Sequence, residues 1–209
     1  MERGERLEPY AADEPPQVDV VLAEEAVRTL LKAFGMEQYD EIMRNTPRRF
    51  VEAYRELFSP PAFRPTTFPN EERYEEVVLV RGVRFRSVCE HHLLPFTGHA
   101  HVGYLPGDQV VGLSKLARVV ELYAGRPQRQ ERLTVEIADW LDRCLRPRGV
   151  GVLMVAHHSC MTLRGVTAAE STTVTSTFRG VLHSDRQQRA DFLAMVPHAG
   201  DGSTGGGRR

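Results

Sequence analysis

Cysteine and histidine residues are concentrated in two short segments of the chain, CEHH at 89–92 and HHSC at 157–160. Thiolate sulfur and imidazole nitrogen are ligands that zinc favours, and catalytic zinc sites use three protein ligands, whereas structural sites are closed by four. Three ligands drawn from these two segments would leave further histidines for proton transfer. The pattern therefore predicts a zinc ion with an open coordination position, in an enzyme rather than in a metal-stabilised binding module.

The remaining cysteine of the chain, Cys144, offers the alternative of a fourth ligand, which would close the zinc site and make it structural. Its neighbours argue against this role, because Leu133, Ile137, Leu141 and Cys144 recur at the spacing of one helix face. Free cysteine is also among the residue types most often buried. We therefore predict that Cys144 is a core side chain. Coordination of zinc by Cys144 would instead favour a non-catalytic module.

The segment VGLSKLAR at 111–118 places Ser114 ahead of Lys115 and Arg118. At the start of a helix, free N–H groups and two cations can hold a phosphate group. A solvated helix face is the alternative explanation of such a pair of basic residues. This segment alone does not decide between the two.

Two further groups of polar residues could bind a nucleotide. The segment RPQRQERLT at 126–134 is predicted to begin a helix at Pro127, and Glu131 in its first turn could accept the two N–H groups of a guanine edge. An acid that stabilises a helix N-terminus would give the same pattern. Arg164 follows Cys160 by four residues, so it could bring a cation beside the metal or could be a surface arginine of a strand.

The composition limits the class of protein. Of 209 residues, 41% are hydrophobic and 26% are charged, which is typical of a globular protein with a buried core and excludes wholesale disorder. The 27 basic and 28 acidic residues give a net charge of −1, so we expect no nucleic-acid or membrane partner, and any anion-binding site must be local. The odd number of cysteines and the absence of a signal peptide or long apolar run predict a cytoplasmic protein.

Hydrophobic periodicity and turn residues predict the order of the main elements. Helices are predicted near 18–34 and over 46–58, 127–146 and 184–195. Strands are predicted over 75–88, 99–105, 150–158 and 172–178, and prolines between 60 and 69 predict an irregular linker. Because this order lacks the regular alternation of doubly wound proteins, we expect an α+β fold with a mostly antiparallel sheet covered by helices on one face.

Three ordered blocks together resemble the GTP cyclohydrolase I family: CEHHLLPF at 89–96, VGLSKLARVVELYAGRPQRQERLT at 111–134 and HSCMTLRG at 158–165. The resemblance extends over about residues 20–197, and three blocks in order are far more specific than any single motif. It implies a tunnelling (T-fold) domain, assembled into a toroidal homodecamer with active sites at subunit interfaces. The predicted organisation is a flexible segment at 1–17, a helical region and linker at 18–72, the T-fold catalytic domain at 73–197 and a flexible Gly-rich tail at 198–209.

The resemblance also implies roles for individual residues. The zinc ligands would be Cys89, His92 and Cys160, and the acid/base residues would be His91 and His158. Residues that would contact GTP are Ser114, Gln130 and Glu131, with Glu131 binding the guanine. The residues that would hold the triphosphate are Lys115, Arg118 and Arg164, joined by Arg49 from a neighbouring subunit.

The implied reaction is zinc-dependent hydrolytic opening of the GTP imidazole ring at C8, release of formate, and rearrangement and ring closure to 7,8-dihydroneopterin triphosphate. This would be the first step of tetrahydrofolate and pterin biosynthesis. Glu52 departs from the family pattern, because relatives commonly carry a phosphate-binding lysine there, and VTAAES after Gly165 lacks a basic residue often found in relatives. These departures leave a partial reaction, ending at an opened formamidopyrimidine nucleotide, as an alternative. A non-catalytic zinc-stabilised nucleotide-binding module is the second alternative.

Overall fold

The computed structural model describes residues 18–60, 65–165, 168 and 170–196. Its helices are α1 (Val20–Ala33), α2 (Asp40–Leu57), α3 (Leu113–Ala124), α4 (Gln130–Leu145), α5 (Ser159–Thr162), α6 (Val181–Ser184) and α7 (Arg186–Ala194). Its strands are β1 (Thr67–Pro69), β2 (Val78–Cys89), β3 (Pro95–Leu105), β4 (Gln109–Val111), β5 (Pro127–Gln128), β6 (Gly149–His158) and β7 (Thr173–Gly180). The flexible ends predicted at 1–17 and 198–209 lie outside the described residues.

Five strands form one sheet in the order β5-β2-β3-β6-β7. The four long strands pair antiparallel, and the two-residue β5 joins the end of β2 in parallel. Since β2 and β6 each run antiparallel to β3, they point in the same direction and end at the same edge of the sheet. The two Cys/His segments follow these two strand ends, so the topology brings them together.

The main hydrophobic core lies between the sheet and the helices α3 and α4. Alternate residues of β3 and β6 supply its sheet side, because side chains of a strand point to opposite faces in turn. The buried side chains of these strands include Ala100, Val102, Tyr104, Val150, Val152 and Met154. Leu116 on α3 and Ile137 on α4 are fully enclosed from the helix side. The predicted α+β fold with a mostly antiparallel sheet is confirmed. Helices α3 and α4 cover one face of the sheet as predicted, and α7 adds a helix on the other face.

A second, smaller core lies on the opposite face of the sheet, where α7 covers one end. Phe192 of α7 is fully buried there and packs over Gly103 and Gly151, two glycines at which an added Cβ would lie 2.9 and 2.8 Å from its ring. Glycine is therefore needed at these positions for the ring to approach the backbone. The last helix was predicted over 184–195, and the structure divides that region into α6 and α7.

Two predicted helix starts differ from the structure. The second helix begins at Asp40 rather than Thr46, so Pro47 lies inside it and is buried with Val51 one turn later. Acidic residues in the first turn favour this earlier start, and the cost of Pro47 is the missing N–H that would bond the carbonyl of Met43. The helix predicted from Pro127 begins at Gln130, because Pro127 and Gln128 pair with β2 instead.

The short strand β1 falls in the segment predicted to be an irregular linker, and it pairs with β4 ahead of α3. Among the described helices, none combines the length and apolar character that a bilayer crossing requires.

Candidate active site and metal centre

Cys89, His92 and Cys160 form a compact group at the common edge where β2 and β6 end. Cys89 is the last residue of β2, His92 lies in the turn that follows, and Cys160 lies in α5 directly after β6. Their potential ligand atoms all lie within 4.8 Å of one another. The structure thus brings together the three residues that the sequence analysis singled out as zinc ligands.

One pair of donor atoms in this group has the separation expected around a tetrahedral zinc ion. Usual Zn–S and Zn–N bond lengths place ligand atoms roughly 3.3–3.8 Å apart. The Cys89 Sγ and the His92 Nδ1 are separated by 3.7 Å, within that range. Cys89 is buried, Cys160 is half-buried and His92 is exposed, so the group is reached from the His92 side. Burial raises the pKa of Cys160, with a further contribution from the nearby Cys89 thiol, and Arg164 opposes the rise.

The turn that carries His92 is fixed by backbone hydrogen bonds. The Leu93 N–H donates to the Cys89 carbonyl at 2.8 Å, and the Cys89 N–H donates to the Leu94 carbonyl at 2.8 Å. Leu93 has a left-handed backbone conformation, with φ of 53°, which is uncommon for a residue with a Cβ. The free-energy cost of this backbone conformation falls in the turn that reverses the chain between β2 and β3, beside the metal ligands, which is a typical place for such strain.

His158 lies at the end of β6, next to the metal group, and its ring is held on two sides. The ring stacks on Phe96 of β3 at a centroid distance of 4.4 Å and an interplanar angle of 7°. Its Nε2 lies 2.8 Å from Oε1 of Gln130, at the start of α4. Burial lowers the pKa of His158, and the nearby Glu131 carboxylate opposes this effect. His158 therefore favours the neutral form, which can accept a proton.

His91 is exposed in the same turn as His92, and its Nδ1 lies 3.8 Å from the Cys89 Sγ. Glu90, which lies between Cys89 and His91 in the sequence, pairs with two arginines at the start of α4, Arg129 at 2.9 Å and Arg132 at 2.5 Å. These ion pairs join the metal turn to the start of α4. Glu90 was not among the residues predicted from the sequence, although its position inside the CEHH segment was a signal.

Gln128 extends this network into the protein interior, and the sequence analysis missed it as well. Its side chain is fully buried, its Oε1 accepts a hydrogen bond from Nε of Arg132 at 2.7 Å, and its Nε2 donates to the Tyr123 carbonyl and to Glu136. A buried amide is expected to satisfy its polar atoms in this way. Gln128 therefore fixes Arg132, which in turn holds Glu90.

The residues predicted to hold phosphate lie on separate elements. Ser114, Lys115 and Arg118 are on the first turns of α3, after the N-cap Gly112, and Ser114 and Arg118 are exposed. Arg164 is exposed beyond α5, and Arg49 is exposed on α2. In the part of the chain that the structure describes, no hydrogen bond or ion pair links Ser114, Arg118 or Arg49 to the metal group.

Glu52, the departure from the family pattern, is engaged within its own helix. Its carboxylate pairs with Nη1 of Arg48 at 2.7 Å, one turn earlier on α2. The two charges offset each other locally, so the acid is not an isolated negative charge beside Arg49.

Cys144 lies on the buried face of α4 and is 8% exposed, in the core that also contains Trp140 and Leu141. Burial raises its pKa, and Arg143 opposes the rise. It does not belong to the group of Cys89, His92 and Cys160. The prediction that Cys144 is a core residue is confirmed.

Comparison with known proteins gives the family. The profile of the GTP cyclohydrolase I family matches residues 23–197. The chain is 48% identical over 180 residues to GTP cyclohydrolase 1 of Streptococcus mutans serotype c, covering 84% of this chain and 93% of that protein. It is 44% identical over 187 residues to GTP cyclohydrolase 1 of Brucella anthropi, covering 87% and 86%. A solved structure, the archaeosine synthase QueF-Like in the apo form, aligns with a TM-score of 0.42 at 19% identity, covering 50% of this chain and 93% of that chain. On the profile match and these identities, the chain belongs to the GTP cyclohydrolase I family.

Proposed function

We propose that this protein is a GTP cyclohydrolase I that opens the imidazole ring of GTP at C8, releases formate and recloses the product to 7,8-dihydroneopterin triphosphate. The observation that carries the proposal is the placement of a Cys/His/Cys group beside a half-buried histidine at one sheet edge, in a chain of this family. This chemistry makes the protein a hydrolase of cyclic amidine C–N bonds in tetrahydrofolate and pterin biosynthesis.

Cys89, His92 and Cys160 are the proposed ligands of one zinc ion, because two thiols and an imidazole at these separations are a donor set that zinc favours. When bound with an open position, zinc supplies Lewis-acid activation of water for the hydrolysis at C8. Cys144 is enclosed in the core and leaves the fourth position free.

The two histidines have different surroundings, and this difference suits them to different proton transfers. His158 is half-buried and favours its neutral form, so its ring is available to accept a proton near neutral pH. His91 is exposed in the same turn as His92, so its ring is open to a bound substrate. We assign both as acid/base residues of the ring opening and the later steps.

GTP would lie across the open side of this edge. Glu131 is exposed at the start of α4, where its carboxylate can accept the N–H groups of guanine. The Gln130 side chain is enclosed by the protein, so its contact with GTP would use the backbone. Ser114, Lys115, Arg118 and Arg164 are assigned to the sugar and triphosphate.

Arg49 would reach the triphosphate from a neighbouring subunit, as the family resemblance implies. This arrangement requires the homodecamer implied by the family resemblance. The pairing of Glu52 with Arg48 supports a complete reaction, since it removes the unbalanced negative charge that favoured the partial one. The division into a helical region at 18–72 and a catalytic domain at 73–197, and the cytoplasmic location, remain predictions.

The experiment that tests this function incubates the zinc-loaded protein with GTP and measures formate together with the fluorescent pterin obtained after oxidation and dephosphorylation. The expected result is one formate for each pterin, and loss of both in His158→Ala with zinc content unchanged. An opened nucleotide that keeps the formyl carbon in the mass spectrum would establish the partial reaction. Neither product from folded, zinc-loaded protein would overturn the proposal in favour of a binding module.

A further inference from the structure

The side-chain amide of Gln130 is enclosed at the start of α4, with 2% of the residue exposed. Its Nε2 donates hydrogen bonds to two backbone carbonyl oxygens, those of Thr173 at 2.9 Å and Met154 at 3.2 Å, and lies 3.2 Å from the Thr175 hydroxyl. Both carbonyls belong to strands of the main sheet, β7 and β6. The amide is therefore anchored to the sheet and not only to its own helix.

These contacts determine which end of the amide faces His158. Carbonyl oxygens only accept hydrogen bonds, so the NH₂ group must point at Thr173 and Met154. The Oε1 of Gln130 then points at the Nε2 of His158, 2.8 Å away. An amide oxygen cannot donate, so the hydrogen between these two atoms belongs to the imidazole Nε2. Reversing the amide would place its NH₂ against Nε2 and its oxygen against two other oxygens.

The imidazole ring of His158 is also held in one orientation. The stacking on Phe96 sets the plane of the His158 imidazole, so rotation of the ring is restricted as well. In the described part of the chain, the second ring nitrogen, Nδ1, makes no hydrogen bond. The neutral ring thus has one nitrogen committed to the protein and one with a free lone pair.

We propose that Gln130 is a positioning residue that holds neutral His158 as its Nε2–H tautomer, so that Nδ1 is the nitrogen that exchanges protons with the substrate. The proposal rests on the acid/base role proposed for His158. It changes the role expected for the Gln130 side chain, from a contact to GTP to a contact that selects one tautomer of a neighbouring acid/base group. The two tautomers present a lone pair on different sides of the ring, so only one can serve a substrate held in one place.

The direct test is solid-state ¹⁵N NMR of the zinc-loaded protein labelled at its histidine ring nitrogens. At a pH of about 8.5 a histidine of ordinary pKa is neutral. The His158 signals are identified by their loss in His158→Asn. We expect a protonated Nε2 and an unprotonated Nδ1 for His158. The opposite tautomer in the unsubstituted protein would overturn the proposal. This measurement uses no GTP, so its outcome does not depend on whether the proposed function is correct.

Two substitutions then test whether the contact matters for turnover. Gln130→Leu removes the acceptor, and we expect a mixture of tautomers with kcat lowered by about 10- to 100-fold and the KM for GTP within about twofold. Gln130→Glu keeps an oxygen acceptor toward Nε2 and, when its other oxygen is protonated, still donates to one of the two carbonyls, so we expect the wild-type tautomer and a partial return of kcat. A raised KM with unchanged kcat in Gln130→Leu would show a side-chain contact to GTP and would contradict the proposal.

The matched control is Thr134→Val, one turn later on the same buried face of α4. It removes a hydroxyl that donates to the Gln130 backbone carbonyl at 2.7 Å and lies 2.6 Å from the Thr175 hydroxyl. The two carbonyls that orient the Gln130 amide, and the Gln130–His158 contact, are left in place. We expect a lower melting temperature with the His158 tautomer and kcat unchanged. A loss of kcat in Thr134→Val equal to that in Gln130→Leu would show that both act only through stability and would overturn the positioning role.

Discussion

The hydroxyl of Tyr54 donates a hydrogen bond of 2.5 Å to the backbone carbonyl of Leu93. Tyr54 lies on α2, the helix that also carries Arg49, whereas Leu93 is the left-handed residue of the turn that holds His92. The bond therefore connects the N-terminal helical region to the metal centre. The Tyr54 ring is in turn stacked on Phe50 at 4.4 Å, which keeps it in place on the helix.

Removing this hydroxyl should loosen the metal turn. For Tyr54→Phe we expect the free energy of unfolding to fall by about 1 kcal/mol, the typical net value of one hydrogen bond. Zinc affinity should fall by roughly tenfold, because outer contacts orient metal ligands. Urea denaturation and competition with a chelator measure the two effects. Tyr39→Phe is the control, since the Tyr39 hydroxyl has no hydrogen bond among the described residues; equal behaviour of the two variants would refute the link.

The Glu90 carboxylate should be needed for the geometry between the metal turn and α4. Its side chain is 27% exposed and faces both Arg129 and Arg132. In Glu90→Gln the two guanidinium groups lose their shared counter-charge, so we expect a loss of about 1–2 kcal/mol in the free energy of unfolding and a lower kcat. The control is Glu76→Gln, at an exposed carboxylate without an ion pair in the described residues. A Glu90→Gln protein as stable and active as the control would show that the network is dispensable.

Cys160 and Cys144 should respond in opposite ways to the same substitution. Cys160→Ala removes a ligand of the compact group, so we expect purified protein with little zinc and no turnover. Cys144→Ala removes a buried thiol from the core, so we expect full zinc content and a free energy of unfolding lowered by about 1 kcal/mol. Metal analysis and denaturation of both variants distinguish them. Zinc loss in Cys144→Ala would show that the site is closed by a fourth ligand.

Local sequence signals predicted the metal group but not its supports. Each Cys/His segment was predicted to lie at the end of a strand, because the strands have a clear apolar pattern. That both strand ends lie at one edge follows from the observed antiparallel pairing of β2 and β6 with β3. The predicted start of α2 was wrong because Pro47 resembles a first-turn proline, whereas the helix begins at Asp40 and buries both Pro47 and Val51. Proline at a helix start and proline inside a packed helix have the same local sequence.

The roles of Gln130 and Glu90 could not be predicted for a different reason. Their partners come from other elements: Gln130 bonds to β6 and β7, and Glu90 pairs with two arginines at the start of α4. Such pairings depend on which strands become neighbours and on their register, and a residue-by-residue pattern does not contain that information. The motif resemblance implied that Gln130 contacts GTP, and it contained no information on the strands to which its side chain bonds.

His101 should make stability depend on pH, independently of the metal centre. It is 6% exposed on β3, and its Nδ1 is buried without a hydrogen-bond partner. Burial lowers its pKa, and the charges of His99 and Arg81 lower it further. The unfolded chain therefore binds a proton that the folded protein resists, so the free energy of unfolding should fall as the pH drops below the unfolded pKa of about 6.5, and should level off below the folded pKa.

The variant that tests this dependence is His101→Leu, with His183→Gln as the control at an exposed histidine. Urea denaturation at about pH 7.5 and about pH 5.5 brackets the ordinary imidazole pKa. We expect the loss of stability on acidification to be smaller in His101→Leu than in the wild type, and unchanged in His183→Gln. The zinc ligands are common to all three proteins, so their own pH dependence cancels in the comparison. An equal loss in His101→Leu and the wild type would show that the buried imidazole becomes protonated in the folded protein as readily as in the unfolded chain.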